Sequence, residues 1–258
     1  GLPHADAGAR ANTMNILVLS HALYDTAPGA RFRYEQWARY LEGDGFRFTF
    51  VPFEDELLHQ VLYTPRNYVR KAPSLLKACV RRLAQVRSVR DFDLVLIHRE
   101  AAMIGPAVVE SLIARTGVPI IYDFDDAFFH AYDQSPNPLI RLGVGGKHAA
   151  QLKRAAGCIC GNDYIQHFVS QFCDRSIVLP TVVDTHAYRP AGGERTGPLT
   201  IGWIGSPSTW CGVQPILPVI RAAVAAHGVR FLVIGAGRAA EADRFAGMEL
   251  RDWTEATE

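Results

Sequence analysis

The chain has 258 residues, 48% hydrophobic and 21% charged, an ordinary balance for one large globular domain or two modest ones. Its 27 Lys and Arg against 26 Asp and Glu argue neither for nor against nucleic acid, and no nucleic-acid partner is expected. No apolar run approaches the roughly 20 residues of a membrane span. The polar opening, residues 1–13, lacks the apolar stretch of a signal peptide, so a cytoplasmic location is expected.

The first strand-like segment is Asn15-Ile-Leu-Val-Leu-Ser20, a continuous apolar run of the kind buried on both faces of a parallel sheet. Met14 stands directly before it and is expected to be the natural start, with residues 1–13 as upstream or appended sequence. The Pro/Gly stretch Thr26–Ala30 predicts a loop, and Tyr34–Leu41 a helix stopped by Gly43 and Gly45. Phe46–Val51 alternates as a second strand, and Asp93–His98 and Val118–Asp123 predict two more. Between these two lies a helix near Gly105–Thr116, with Pro106 in its first turn. Gly157–Gly161 and Ser176–Pro180 are further strands, separated by the helix Tyr164–Phe172. Cys158 and Cys160 would face the same side of their strand. The five scattered cysteines lack zinc-site spacing, so they are expected to be buried free thiols in a reducing compartment.

Strands alternating with helices define an α/β fold with a parallel sheet covered on both faces. Residues 190–198 read as an interdomain linker. The pattern then restarts with strand Leu199–Ile204, a mostly helical 208–227, strand Arg230–Gly235, a short helix and Met248–Arg251. From Leu199 only 60 residues remain. A doubly wound domain has on the order of 100–150, so the second unit is expected to be incomplete. Residues 251–258 carry no terminating signal.

Asp123, Asp125 and Asp126 stand at the end of a strand, where parallel sheets bind ligands. They are cleft candidates. A D-x-D pair can also hold a divalent metal on a nucleotide diphosphate, and aspartates here can simply cap amides of the next helix. His98-Arg99-Glu100 ends another strand at the same edge, which makes His98 a candidate acid, base or sugar contact, or a structural histidine. In the first strand–helix loop, Gly29-Ala-Arg-Phe-Arg33 places Arg31 and Arg33 where they could clamp an anion or merely be solvated. Gly205 and Ser206 follow the first strand of the second unit and are phosphate-binding candidates; a turn capped by Ser206 or Ser208 is the competing reading. Gly235-Ala-Gly-Arg-Ala-Ala240 fits a dinucleotide fingerprint but follows the wrong strand, so a tight turn is the better reading. From Leu57 to Arg90 there is no acidic residue but eight basic ones, with an apolar stripe from Leu75 to Val86 at helical spacing. Core packing would give the same stripe.

Taken in order, Gly29–Arg33, His98–Glu100, Tyr122–Ala127, Gly161–Tyr164, Leu179–Asp184, Asp184–Pro190 and Ile201–Ser206 resemble a GT-B glycosyltransferase of the family 4 type, over residues 14–258. The resemblance implies two Rossmann-like doubly wound domains. Residues 14–190 would hold the acceptor, 191–198 the linker, and 199–258 the start of the nucleotide-sugar donor domain, broken off within it. It implies transfer with retention, no metal and no cofactor, and a glycan, lipid-linked or small-molecule acceptor, in the setting of cell-envelope polysaccharide synthesis. Gly29, Arg31, Arg33, Arg99 and Glu100 would lie on the acceptor side. Arg70, Lys71, Lys77, Arg81 and Arg82 would give peripheral contact with an anionic membrane at its inner face, at about 1 kcal/mol per basic residue.

The sequence departs from that family twice. The loop Gly205–Cys211 lacks the family's Arg and Lys, and its E-x7-E motif would fall beyond residue 258. The chain alone is therefore expected to be inactive as a transferase. A non-catalytic nucleotide- or sugar-phosphate-binding protein is the second functional class, and an NAD-dependent oxidoreductase using Gly235–Ala240 a third.

Overall fold

Six parallel strands form one sheet in the order β2-β1-β3-β4-β5-β6. They are β1 (Met14–Ser20), β2 (Phe46–Pro52), β3 (Leu94–His98), β4 (Ile120–Phe124), β5 (Gly157–Cys160) and β6 (Ser176–Val178). The computed structural model describes residues 13–62, 68–135, 137–190, 197–207 and 209–254. Most of the expected linker, Arg66, Ser208 and the last four residues lie outside these. The chain divides into two units, 1–189 and 190–258.

The unbroken apolar run of β1 has a direct structural cause. Successive strand residues point to opposite faces. Leu17 and Leu19 enter one core with Val95, Ile97, Tyr122 and Phe124. Ile16 and Val18 enter the other with Ala30 and Tyr34. Each fully buried side chain of this kind contributes about 1.5–3 kcal/mol. Because β1 lies between β2 and β3, the strand order reverses there. In such sheets ligands bind outside the carboxyl ends of the strands at that reversal.

Two local expectations are corrected, and a third, the mostly helical segment 208–227, gains detail. Gly29–Arg33 is not loop: the first helix opens at Pro28 and runs as α-helix Pro28–Ala30, π-helix Arg31–Glu35 and α-helix Gln36–Leu41. Proline is preorganised for the first helical position. The next predicted helix spans Val108–Ala114, so Pro106 precedes it. The segment 208–227 contains two 3-10 turns, Trp210–Gly212 and Gln214–Ile216, before the helix Leu217–His227. Three short helices between β4 and β5, at His130–Asp133, Pro138–Val144 and Lys147–Leu152, had no predicted counterpart.

The second unit holds β7 (Thr200–Ile204), β8 (Arg230–Ile234) and β9 (Met248–Arg251), parallel and in that order. Trp210, Leu217, Ile220, Phe231 and Val233 form its core. Among the described residues, no helix is long and apolar enough to cross a membrane.

Candidate functional site

His98 and Asp123 are register partners on β3 and β4, so their side chains leave the sheet on the same face. His98 Nδ1 lies 3.1 Å from Asp123 Oδ2. Arg33, from the π-helical turn, closes on the same carboxylate: its Nε donates to Asp123 Oδ1 at 3.1 Å and Oδ2 at 3.2 Å. Its Nη1 donates to the Leu179 carbonyl. Arg99 forms a second clamp. Nε and Nη2 donate to the two Asp125 oxygens at 2.8 Å each, and Nη2 reaches Asp126 Oδ2 at 2.9 Å. Arg99 has φ +62°, a left-handed conformation that is strained for a residue other than glycine.

Gly29 seals this network from above. A Cβ there would stand 2.7 Å from Asp125 Oδ2 and 3.7 Å from His98 Nε2, so only glycine lets the helix approach. His98 is fully buried, and its Nε2 has no hydrogen-bond partner among the described residues. Gly161 packs equally closely on the Asp125 backbone. The electrostatics follow from this arrangement. Burial raises the Asp125 pKa, but the Arg99 hydrogen bond and the nearby His98 and Arg99 charges outweigh it and hold the group at about 2. Burial alone lowers Arg33, and its Asp123 contacts reverse the direction.

The structure thus brings together Gly29, Arg33, His98, Arg99, Asp123, Asp125 and Asp126, as expected at one edge. Arg31 stands apart, with its Nε 3.9 Å from Asp25. Glu100 points away: its carboxylate takes the buried Lys147 ammonium at 2.6 Å and the Tyr132 hydroxyl at 2.9 Å. It braces the fold at this edge and does not line it. His21 was missed. It follows β1 as His98 ends β3, and its ring stacks on His98 with centroids 5.5 Å apart. Burial, then the His98 and Arg99 charges, lower its pKa to about 3. The signal was available in its strand-end position.

The basic segment is also corrected in part. In the helix Tyr68–Gln85, Ser74, Ala78 and Arg82 form the buried face. Arg82 is 1% exposed and donates to the carbonyls of Val51 and Ser20 at 3.0 Å, so it cannot meet a membrane. Arg81 bonds Asp55 at 2.9 Å. Lys77 stands 3.5 Å from the same carboxylate. Arg70 is exposed and Lys71 half-buried. The cysteine expectation holds for the strand pair: Cys158 and Cys160 are buried free thiols with Sγ atoms 4.0 Å apart.

At the carboxyl edge of the three-stranded sheet, backbone replaces charge. The Gly205 amide donates to Ile234 O at 3.1 Å, and the Ser206 amide to Thr209 Oγ1 at 3.1 Å. Both candidate phosphate donors therefore have partners, Gly205 on the neighbouring strand and Ser206 within its own loop. Gly235 has φ +83°, and a Cβ on it would collide with the Gly205 carbonyl, which confirms the tight-turn reading. Beside this turn lies a cavity of about 290 Å³, floored by Val233, Ala236 and Leu250 and rimmed by Arg238, Glu241 and Arg251. Among the described residues, no three or more His, Cys, Asp or Glu side chains are grouped to hold a metal.

No protein-family model matches the sequence, and no curated protein matches it at a significant level. Solved structures do. A glycosyltransferase from Rickettsia africae ESF-5 aligns with TM-score 0.55 and 13% identity, over 95% of this chain and 69% of that one. An alpha-glucosyltransferase in complex with UDP-glucose and DNA containing an abasic site gives 0.53 and 12%, over 93% and 67%. An alpha-glucosyltransferase in complex with UDP and a mismatched 13-mer DNA gives 0.52 and 13%, over 93% and 66%. The chain thus spans about two thirds of the length of these structures. The likeness establishes the fold: two Rossmann-like parallel-sheet units of the GT-B kind, a scaffold that these glycosyltransferases use.

Proposed function

We propose that the chain serves transfer of a sugar from a nucleotide-sugar donor to an acceptor, with retention of configuration. The observation that carries this reading is the ion-paired cluster His98–Asp123–Arg33 and Arg99–Asp125, at the strand-order reversal of a GT-B-type sheet. Retention and the family 4 type are drawn from the ordered motifs alone. The acceptor side is the edge of the six-stranded sheet, where Asp126 and Arg99 keep some exposure while His98, Asp123 and Arg33 form the floor beneath them. The arginine clamps on Asp123 and Asp125 favour a role without metal, because these carboxylates already have cationic partners.

The donor is assigned to the three-stranded unit. Its nucleoside would lie in the cavity rimmed by Arg238 and Arg251, with the diphosphate near Gly205 and Ser206. Since the Ser206 amide is engaged by Thr209, its binding of phosphate requires rearrangement of the Ser206–Thr209 turn. Calorimetric titration with a panel of nucleoside diphosphates and with NAD tests this. Binding of at least one diphosphate, and not of NAD, is expected. NAD binding with no diphosphate binding would overturn the reading in favour of an oxidoreductase.

Peripheral membrane contact is the second part of the proposal. Val69, Leu76, Val80 and Leu83 lie opposite the buried face of the helix Tyr68–Gln85, with Val69 88% and Leu76 65% exposed. Arg70 and Lys77 flank this outward apolar ridge. Apolar burial plus attraction to anionic lipid is how amphipathic helices hold an interface. Co-sedimentation with anionic vesicles should fall when Val80 becomes Asp, and unchanged binding would remove this contact.

A further inference from the structure

Glu35 is a buried carboxylate that the clamps around His98 do not use. It closes the π-helical turn Arg31–Glu35 and is 3% exposed. Its Oε2 accepts the Asp25 amide at 3.0 Å. Asp25 has φ +59°, the left-handed region that residues other than glycine rarely adopt. A strained residue in the loop after β1 is therefore held by a carboxyl in the adjacent helix, six residues beyond Gly29. Single π-helical turns inside α-helices are frequent at functional sites.

The charges facing Glu35 are those of Asp25, Arg31 and Arg39, with the Tyr34 hydroxyl nearby. Its pKa stands at about 7, and burial is the largest cause. The Asp25 charge acts in the same direction as burial, while the Asp25 amide, Arg31 and Arg39 oppose both. A neutral carboxyl can sit there and accept the amide. An ionised one, next to the Asp25 carboxylate, gains by reaching water. Reaching water breaks the bond to the Asp25 amide and lets the Asp25 backbone relax.

We propose that Glu35 is a proton-operated latch on the loop His21–Ala27: closed over the Gly29–His98–Arg99 edge when protonated, and released when the carboxyl loses its proton to solvent. The functional meaning rests on reading that edge as the acceptor side; the latch itself does not. A closed-state pKa of about 7 against an ordinary 4.5 makes the open-to-closed ratio rise about tenfold between pH 6 and pH 8.

The test is amide hydrogen exchange by NMR, corrected for intrinsic rates, on the whole chain without ligand. Protection of the Asp25 amide should fall about tenfold from pH 6 to pH 8, while that of the Gln166 amide, bonded to Asn162 O away from this loop, stays level. In Glu35→Gln the Asp25 protection should become independent of pH. Flat protection in the wild type, or an equal fall in the variant, would overturn the latch. Should the variant fail to fold, carbon NMR titration of the wild-type Glu35 carboxyl decides: a midpoint near 7 supports the latch and one near 4.5 removes it. None of these readouts needs a nucleotide, so failure of the transferase reading would be seen separately, in the calorimetry.

Discussion

At the carboxyl edge of the six-stranded sheet, Asp123, Asp125, Arg33 and Arg99 are tied to one another around a sealed histidine. At the same edge of the three-stranded sheet, the backbones of Gly205 and Gly235 touch and a cavity of about 290 Å³ stays open beside them. The two edges are built by the same parallel-sheet geometry. They differ in what satisfies their polar groups. The first has its charges matched internally before any ligand arrives. The second presents a turn and a rim of mixed charge, where Arg238 stands with Glu241 and Asp252 and Arg251 pairs with Glu249 at 2.6 Å. A prebuilt edge suits positioning of a reacting group, and an open one suits capture of a nucleotide.

The largest expected effect strikes the prebuilt edge. Asp123→Ala leaves the Arg33 guanidinium buried beside His98 without its carboxylate, and breaking a buried pair in this way costs about 3–5 kcal/mol. Denaturant unfolding followed by circular dichroism would show it, and a loss under 1 kcal/mol would mean that the clamp is not a unit. The open edge has its own weak point. Gly235→Ala forces a side chain onto the Gly205 carbonyl at φ +83° and should cost up to about 3 kcal/mol. Three of the four tryptophans, Trp203, Trp210 and Trp253, lie in the second unit. Their fluorescence should therefore report an early transition there, while the six-stranded unit unfolds as before.

Acid separates the edges without mutation. Asp125 is held at about 2 against an ordinary 3.8. Its contribution of about 2 kcal/mol is present above pH 4 and is lost as pH falls through 2. The Arg99→Gln variant should lack most of that acid-sensitive component in unfolding measured from pH 5 to pH 2. The smallest effect belongs to the outward ridge: Val80→Ser should change stability by no more than about 0.5 kcal/mol, since its side chain points to solvent. A larger loss would mean that the ridge is packed.

Eight of the nine strands among the described residues were read from the sequence, because a continuous or alternating apolar run has few other physical solutions, and the ninth, Met248–Arg251, was marked only as a segment. The residue types at the first edge were legible for the same reason: strand ends bring His98 and Asp123 side by side. The pairing was not. Arg33 and Asp123 are 90 positions apart, and no local pattern encodes which cation meets which carboxylate. Pro28 and Gly29 carry turn chemistry that tertiary packing used to open a helix, since only glycine fits over Asp125. Arg82 was misplaced among the surface cations, although Ser74, Ala78 and Arg82 recur every four residues on the core face of the helix.

The most direct test of the two-edge account is hydrogen–deuterium exchange of the chain with and without each of a panel of nucleoside diphosphates. Protection should rise in residues 201–207 and 233–241, with 16–34 and 95–126 unchanged. Protection confined to the first unit, or no change in either, would contradict it.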